Sequence, residues 1–460
     1  MESIALKQTV VAEAARPRGR SVDRVPEWAI VPFLIILAYL PYGELVHDQL
    51  QYQLFGYAAE VTVVPTFLVF VLFALIGMFR KPILLIYMAI FIVLTATVLF
   101  MRYFWGLDLS MSDTLHQAVG LRYMILIPMY ILVAGYVLQE TPVRNTAATI
   151  IIVNGAIASF LGILYVAGIV TYRVVPEGSE LEKLYYTGEV GRAAGLSAGV
   201  NVYSNFLALA LLVACCFYRR SVAFRVGAIG LIVLGILTSQ SRWPLISAVL
   251  IIGYALLPHE GSRNKKKLLL VTICMMFALG GAYMLTPSSN TIVTGVKGRL
   301  SENIGEDLGV RQSKYAVGLS AIFENGYTAV AGASPETLIQ GSKDDSIFSD
   351  NGVLSMFVDA GLPITFAFLF FCYRCLRKFT VHERTLVAYL FWFIAGGVLF
   401  FNNAIYWDSW LFHAAVVCLL LMKPDGIERG DVSLKLKRGS PLRFDRPATQ
   451  TSSNIYRIQA

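Results

Sequence analysis

Residues 61–101 read VTVVPTFLVFVLFALIGMFRKPILLIYMAIFIVLTATVLFM, two apolar runs parted by Arg80 and Lys81. The runs 61–79 and 82–101 contain no charged residue. Each is long enough to cross the roughly 30 Å hydrocarbon core of a bilayer as a helix. A surface helix of a soluble domain carries charge on its outer face, and these runs have none to place there.

The rest of the chain has the same character. Its 460 residues are 56% hydrophobic and only 15% charged, with a mean hydropathy of +0.63. A soluble domain carries roughly 25% charge, so a soluble globular protein is excluded. Disorder is excluded as well, because the chain is too apolar. The reading is an all-α, polytopic integral membrane protein with about 12 transmembrane helices. The apolar stretches are 28–43, 57–79, 82–101, 120–138, 146–171, 196–218, 222–240, 242–257, 267–285, 350–373, 385–401 and 404–422. They organise the chain into a basic N-terminal tail (1–27), nine spans (28–285), a long loop with short helices (286–349), three spans (350–422) and a basic, disordered C-terminal tail (423–460). No internal repeat is evident.

Charge placement gives the orientation independently. With a cytoplasmic N-terminus, 27 of the 38 Lys and Arg fall inside, against 11 of the 30 Asp and Glu. The inner side then carries +16 and the outer side −8. Arg80 with Lys81, Arg219 with Arg220, Arg263 with Lys265, Lys266 and Lys267, and Arg374 with Arg377 and Lys378 all lie inside. Both termini are therefore expected in the cytoplasm, with the 286–349 loop in the periplasm. The basic pI of about 9.1 reflects this inner charge against anionic lipid. No exposed basic domain exists for nucleic acid. The polar lead before the first span has no small-residue cleavage site, which predicts an anchored first helix. The six cysteines lie in or beside spans and read as structural thiols, and no zinc or haem pattern is present.

Polar chemistry collects on the outer side. One segment, 172–195, holds Glu177, Glu180, Glu182, Glu189 and Arg192. The loop 286–349 holds Lys297, Arg299, Arg311, Lys314 and Lys343. These cations run against the topological trend. Residues 311–324 place Tyr315, Leu319, Ile322 and Phe323 at helical spacing, which predicts an interfacial amphipathic helix. Its Arg311 and Lys314 either touch lipid phosphates or face inward to grip a bound phosphate. Arg192, before a small-residue segment, is either a snorkelling cap or part of that grip. Arg242, in TSQSRWPL, is either a turn residue packed on Trp243 or a further substrate contact. In SDNGVLSMFVDAGLP, Asp350 is either a helix N-cap or a base. Asp359 lies inside an apolar run, where an acid needs a polar partner or an aqueous cavity.

The order of these elements carries a resemblance. Arg-x-x-Gly-Leu at 192–196 precedes a span with Asn201 and Asn205. Thr-Ser-x-Ser-Arg at 238–242 follows, then a long loop with Arg311, then Asp350 and Asn351 ahead of Gly361 and Leu362. This resembles the O-antigen ligase and O-antigen polymerase (Wzy-type) family of bacterial envelope glycosyltransferases, over about 175 residues of the chain. The resemblance implies an inner-membrane enzyme acting on an undecaprenyl-diphosphate-linked oligosaccharide at the periplasmic face, without metal or cofactor. It implies that Arg192 and Arg311 clamp the diphosphate and that Asp350 acts on the acceptor hydroxyl. Arg242, Arg299, Lys314, Asn201, Asn205, Asn351 and Asp359 are expected to contact substrate. A chain-length regulator and a flippase of the same pathway are the implied partners. Fixed guanidinium groups suit a leaving diphosphate, because they stabilise the developing charge without reorganising. Ligases of the family carry a histidine where this chain has Asp350, which favours the polymerase. A ligase acting on another acceptor such as lipid A core, or a polysaccharide transporter or flippase, are the alternatives.

Overall fold

The computed structural model describes residues 25–42, 63–104, 121–167, 169, 200–217, 221–255, 315–316, 319–320, 322–323, 326–332, 351–379, 386–402, 404 and 408–422. Among these residues the protein is all helical. The helices are α1 (Glu27–Tyr39, continued by a 3-10 turn Leu40–Tyr42), α2 (Val63–Phe79), α3 (Ile83–Phe104), α4 (Tyr123–Val137), α5 (Thr141–Val166) and α6 (Val200–Cys216). They continue with α7 (Val222–Ser239), α8 (Arg242–Ala255), α9 (Gly326–Ala331), α10 (Gly352–Phe379), α11 (Leu386–Phe401) and α12 (Asp408–Met422).

Four helices are long and apolar enough to cross a membrane: α3, α5, α7 and α10. The shorter apolar helices run 10–17 residues. At 1.5 Å per residue, the 14 residues of α8 rise only about 21 Å. Large hydrophobics such as Ile86, Val93 and Phe100 on α3, and Phe366 and Phe370 on α10, are exposed. An apolar surface of this extent fits a membrane protein, in which lipid covers it.

Each expected stretch other than 267–285 contains a helix among the described residues, with shifted ends; 267–285 lies outside them. The largest correction concerns 146–171. Helix α5 starts at Thr141, because Pro142 sits where no intrahelical N–H is needed. Arg144, which the stretches 120–138 and 146–171 leave between two spans, is inside α5 and 3% exposed. Its Nη2 donates to Leu420 O at 2.9 Å, and its guanidinium lies 5.4 Å from the Phe217 ring. It thus meets a carbonyl at the C-terminal end of α12, where helix dipoles favour a cation. Helix α10 likewise runs past 373 and takes Arg374, Arg377 and Lys378 into its last turns.

Two helices form the buried centre. In α6 every described side chain from Val200 to Cys215 is buried except Asn201, and α5, α7, α8, α11 and α12 surround it. Helix α4 is nearly as enclosed, against α1, α2, α3, α10 and α12. Close approach needs small residues. Gly235 of α7 faces Ser159 of α5 and Leu207 of α6, so a side chain there would collide with both.

Contacts between helix ends define two poles of the bundle. At the lower pole, Val25 N–H donates to Glu140 Oε1 at 3.0 Å, and Arg144 meets Leu420. At the upper pole, Ser241 Oγ donates to Asn201 Oδ1 at 3.4 Å, and Gly352 N–H donates to Asn402 O at 3.2 Å.

Candidate functional site

The expected site residues that are described lie on α6, the α7–α8 corner and α10. The corner is the sequence 238–242, TSQSR. Thr238 Oγ1 donates to Gly235 O at 2.8 Å, and Ser239 Oγ donates to Ile236 O at 2.7 Å. Ser241 N–H donates to Ser239 Oγ at 3.3 Å, while Gln240 N–H donates to Leu237 O at 3.2 Å. Gln240 has φ 54°, the left-handed conformation that often ends a helix. Hydroxyls therefore satisfy the carbonyls that α7 leaves open, and the chain reverses directly into α8.

This corner meets the start of α6. Ser241 bonds Asn201 across 40 positions of sequence. One turn below, Asn205 Nδ2 donates to Asn201 O at 2.8 Å. Asn201 is exposed and Asn205 is buried. Helices α6 and α8 thus touch, run parallel and begin at the same pole. Arg242, half-buried, is the first residue of α8. Its neighbour Trp243 is anchored on α11. Trp243 Nε1–H donates to Ile394 O at 3.2 Å and lies 5.2 Å from the Phe393 ring and 5.1 Å from the Phe401 ring. Its benzo ring covers Gly397 of α11.

The second group is on α10. Asn351 Oδ1 accepts from Leu354 N–H at 2.9 Å, so Asn351 holds the capping role weighed above for Asp350. Helix α10 is broken at Gly361, where φ is 73° and ψ 167°, and Pro363 follows. Asp359, fully buried, sits two residues before the break. Thr365 Oγ1 reaches back over the break to Met356 O at 2.8 Å. The loop docks at this point. Gly332, with φ 78°, lies against the Asp359 and Val358 backbone, and Gly361 lies against Val330 and Gly332. Ile322 and Val358 are buried together, packed by Ala329, Leu354, Phe357 and Leu362. Tyr315, Leu319, Ile322 and Phe323 are helical, but only Ile322 is buried. Tyr315 O–H donates to Phe400 O at 3.4 Å.

The structure therefore gathers Asn201, Asn205 and Arg242 into one group at the upper pole, and Asn351 and Asp359 into another on α10. The upper end of α11 lies between them, touching Trp243 on one side and Gly352 on the other. Arg192, Arg299, Arg311, Lys314 and Asp350 lie outside the described residues. Among the described residues no three His, Cys, Asp or Glu side chains are grouped as a metal would require.

Sequence reasoning missed a buried polar junction. Pro41 has no N–H to give Leu37 O, so α1 ends with open carbonyls. Asn154 Nδ2 approaches Leu37 O at 3.4 Å and Ala38 O at 3.1 Å, and Tyr42 O–H donates to Asn154 Oδ1 at 3.0 Å. His413 places Nε2 3.3 Å from Leu37 O and Nδ1 2.6 Å from Ser409 O. The available signal was a lone Asn in IIIVNGAI and a lone His in LFHAAVV. Gln240, the variable position of the Thr-Ser-x-Ser-Arg element, was missed as well. In comparisons with known proteins, the chain matches no family model and no curated protein.

Proposed function

We propose that this protein is a bacterial inner-membrane polysaccharide polymerase with about twelve spans and both termini in the cytoplasm. It transfers a glycan from undecaprenyl diphosphate onto a lipid-linked repeat unit at the periplasmic face, without a metal. The upper pole is then periplasmic. Helix α8 descends from that pole and α10 begins at it again. An odd number of crossings between them fits the ninth apolar stretch, 267–285.

One observation carries the reading: the N-terminus of α8, with Arg242 as its first residue, meets the first described turn of α6 through the Ser241–Asn201 bond. Each helix N-terminus acts as about half a positive charge. With Arg242 the start of α8 carries about +1.5, which suits the charge of a diphosphate diester. Backbone N–H groups and guanidinium suit such an anion. In the reading, Arg192 and Arg311 complete the clamp, Asp350 takes the acceptor proton, and the Gly332–Gly361 joint holds the loop over the site. A chain-length regulator and a flippase supply and limit the substrate.

The test is to incubate the purified protein with a synthetic undecaprenyl-diphosphate repeat unit and EDTA. A ladder of products supports a metal-independent polymerase, and Arg192→Ala or Arg311→Ala should abolish it at unchanged protein level. Absence of any transfer overturns the reading. A broken helix beside a fully buried Asp359 also favours transport, since transporters bind cargo at discontinuous helices. Glycan movement across liposomes containing the protein, with no bond made, would establish that reading instead.

A further inference from the structure

Residues 315–332 read YAVGLSAIFENGYTAVAG, and Glu324, outside the described residues, is the one charge between Lys314 and Glu336. The described parts of this stretch follow α10 down from the upper pole. Tyr315 stands at the pole, its hydroxyl on Phe400 O and its ring 6.0 Å from the Phe400 ring. Ile322 packs on Val358, six residues into α10. Val330 lies against Gly361, and Gly332 lies against the Val358 and Asp359 carbonyls. Gly361 is nine residues past Gly352 and thirteen before Arg374. At 1.5 Å per residue it lies about 13 Å inside a span about 33 Å long. Asn351 then caps α10 back at the pole, so the chain goes in and returns on one side.

What covers the outer face follows from its neighbours. Helix α9 touches both α3 and α10, two helices long and apolar enough to cross a membrane. Ile322, Thr328 and Ala331 are buried, while Leu319, Phe323, Tyr327 and Val330 are exposed, Phe323 by 65%. A lid bathed in water carries polar groups on such a face. Here the face is apolar, and it continues the exposed surface of Phe100 on α3 and of Phe366 on α10, five residues past the break. The backbone also suits a dry setting. Thr328 Oγ1 donates to Ile322 O at 2.9 Å, and Gly332 N–H donates to Thr328 O at 2.9 Å. Both bonds satisfy groups that hydrocarbon could not.

We propose that residues 315–332 form a re-entrant segment, which enters the bilayer from the upper pole to about mid-depth and turns its exposed face to lipid acyl chains. This differs from a helix lying flat on the membrane surface, because the two glycine contacts hold it well below the pole. The proposal does not depend on the function proposed above.

The test uses the full-length protein in phosphatidylcholine liposomes, its six native cysteines replaced by alanine, with a nitroxide on one introduced cysteine at a time. Oxygen concentrates in hydrocarbon, and a polar nickel chelate is shut out of it. The ratio of oxygen to chelate collisions should rise at least about 10-fold from Asn201→Cys at the pole to Val330→Cys, since a polar solute pays more than that factor to enter hydrocarbon. Phe323→Cys and Val330→Cys should come within about 3-fold of Val93→Cys, exposed at the middle of α3 within the same hydrocarbon layer. A Val330 label that meets the chelate as readily as Asn201 does means water covers the face, and one shielded from both reagents means protein covers it; either result overturns the proposal. If the cysteine-free protein does not fold, the wild-type protein in liposomes containing a diazirine acyl lipid decides the matter. Adducts on the Leu319–Val330 stretch alongside those on α3 support the segment, and adducts on α3 without them overturn it.

Discussion

Replacing Gly361 with alanine should release the loop from the bundle while leaving most of the bundle folded. Gly361 has φ 73° and ψ 167°, a region in which only glycine is at ease. Holding another residue there costs about 1–3 kcal/mol. The new Cβ would also strike the Val330 carbonyl and come within 2.9 Å of Gly332 N. Both are backbone atoms, which cannot rotate away, so overpacking adds about 1–3 kcal/mol. The sum, about 4 kcal/mol, rivals the docking it opposes. That docking is chiefly the burial of Ile322 and Val358, at about 1.5–3 kcal/mol each. The joint should therefore open in preference to α10 unfolding. Limited chymotrypsinolysis of the detergent-purified protein measures this, because opening frees the 326–332 segment, which carries Tyr327, from α10. A penalty of 4 kcal/mol corresponds to an open population raised up to about 1,000-fold, so cleavage should accelerate by at least about 10-fold. A cleavage rate within about 2-fold of wild type would refute the reasoning.

Gly397→Ala should expel Trp243 from its seat on α11 and break its bond to Ile394 O, lowering stability by about 1–3 kcal/mol in a detergent unfolding curve. Asn154→Leu should cost about 2 kcal/mol in the same assay, because Leu37 and Ala38 carbonyls and the Tyr42 hydroxyl lose their partner in a dry interior. Arg144→Met should lower stability by about 1–3 kcal/mol, as it removes the charged donor to Leu420 O. A single cysteine placed at exposed Asn201, in a background without native cysteines, should react with an impermeant maleimide from the periplasmic side of whole cells. Labelling only after lysis would reverse the proposed orientation.

Parts of the site were readable in advance because their chemistry is local. TSQSR announces a polar corner between two apolar runs, and the structure makes it one, with Ser and Thr hydroxyls on the last carbonyls of α7. The start of α10 announces a cap, expected at Asp350, and the structure gives it to the next residue, Asn351. Asn154 and His413 were passed over, because a lone polar residue in an apolar run names no partner. Their partners are remote: His413 and Leu37 stand 376 positions apart, and Asn154 and Ala38 stand 116 apart.

What the residues determined by themselves is helix formation and the lipid-facing character of the chain. Apolar length decides both, since a backbone in hydrocarbon must satisfy its own hydrogen bonds. Charge placement also put Val25 with Glu140 on one side and Asn201 with Ser241 on the other, and the structure joins each pair. Only the tertiary structure decided which helices are neighbours. Apolarity that serves lipid and protein contact equally well leaves no stripe to mark the buried face. The choice then falls to small residues and interhelical hydrogen bonds. Gly235 beneath Ser159, Gly397 beneath Trp243 and Gly332 against Gly361 made that choice here. Through it, α6 became the enclosed centre and its first turn the mouth of the candidate site.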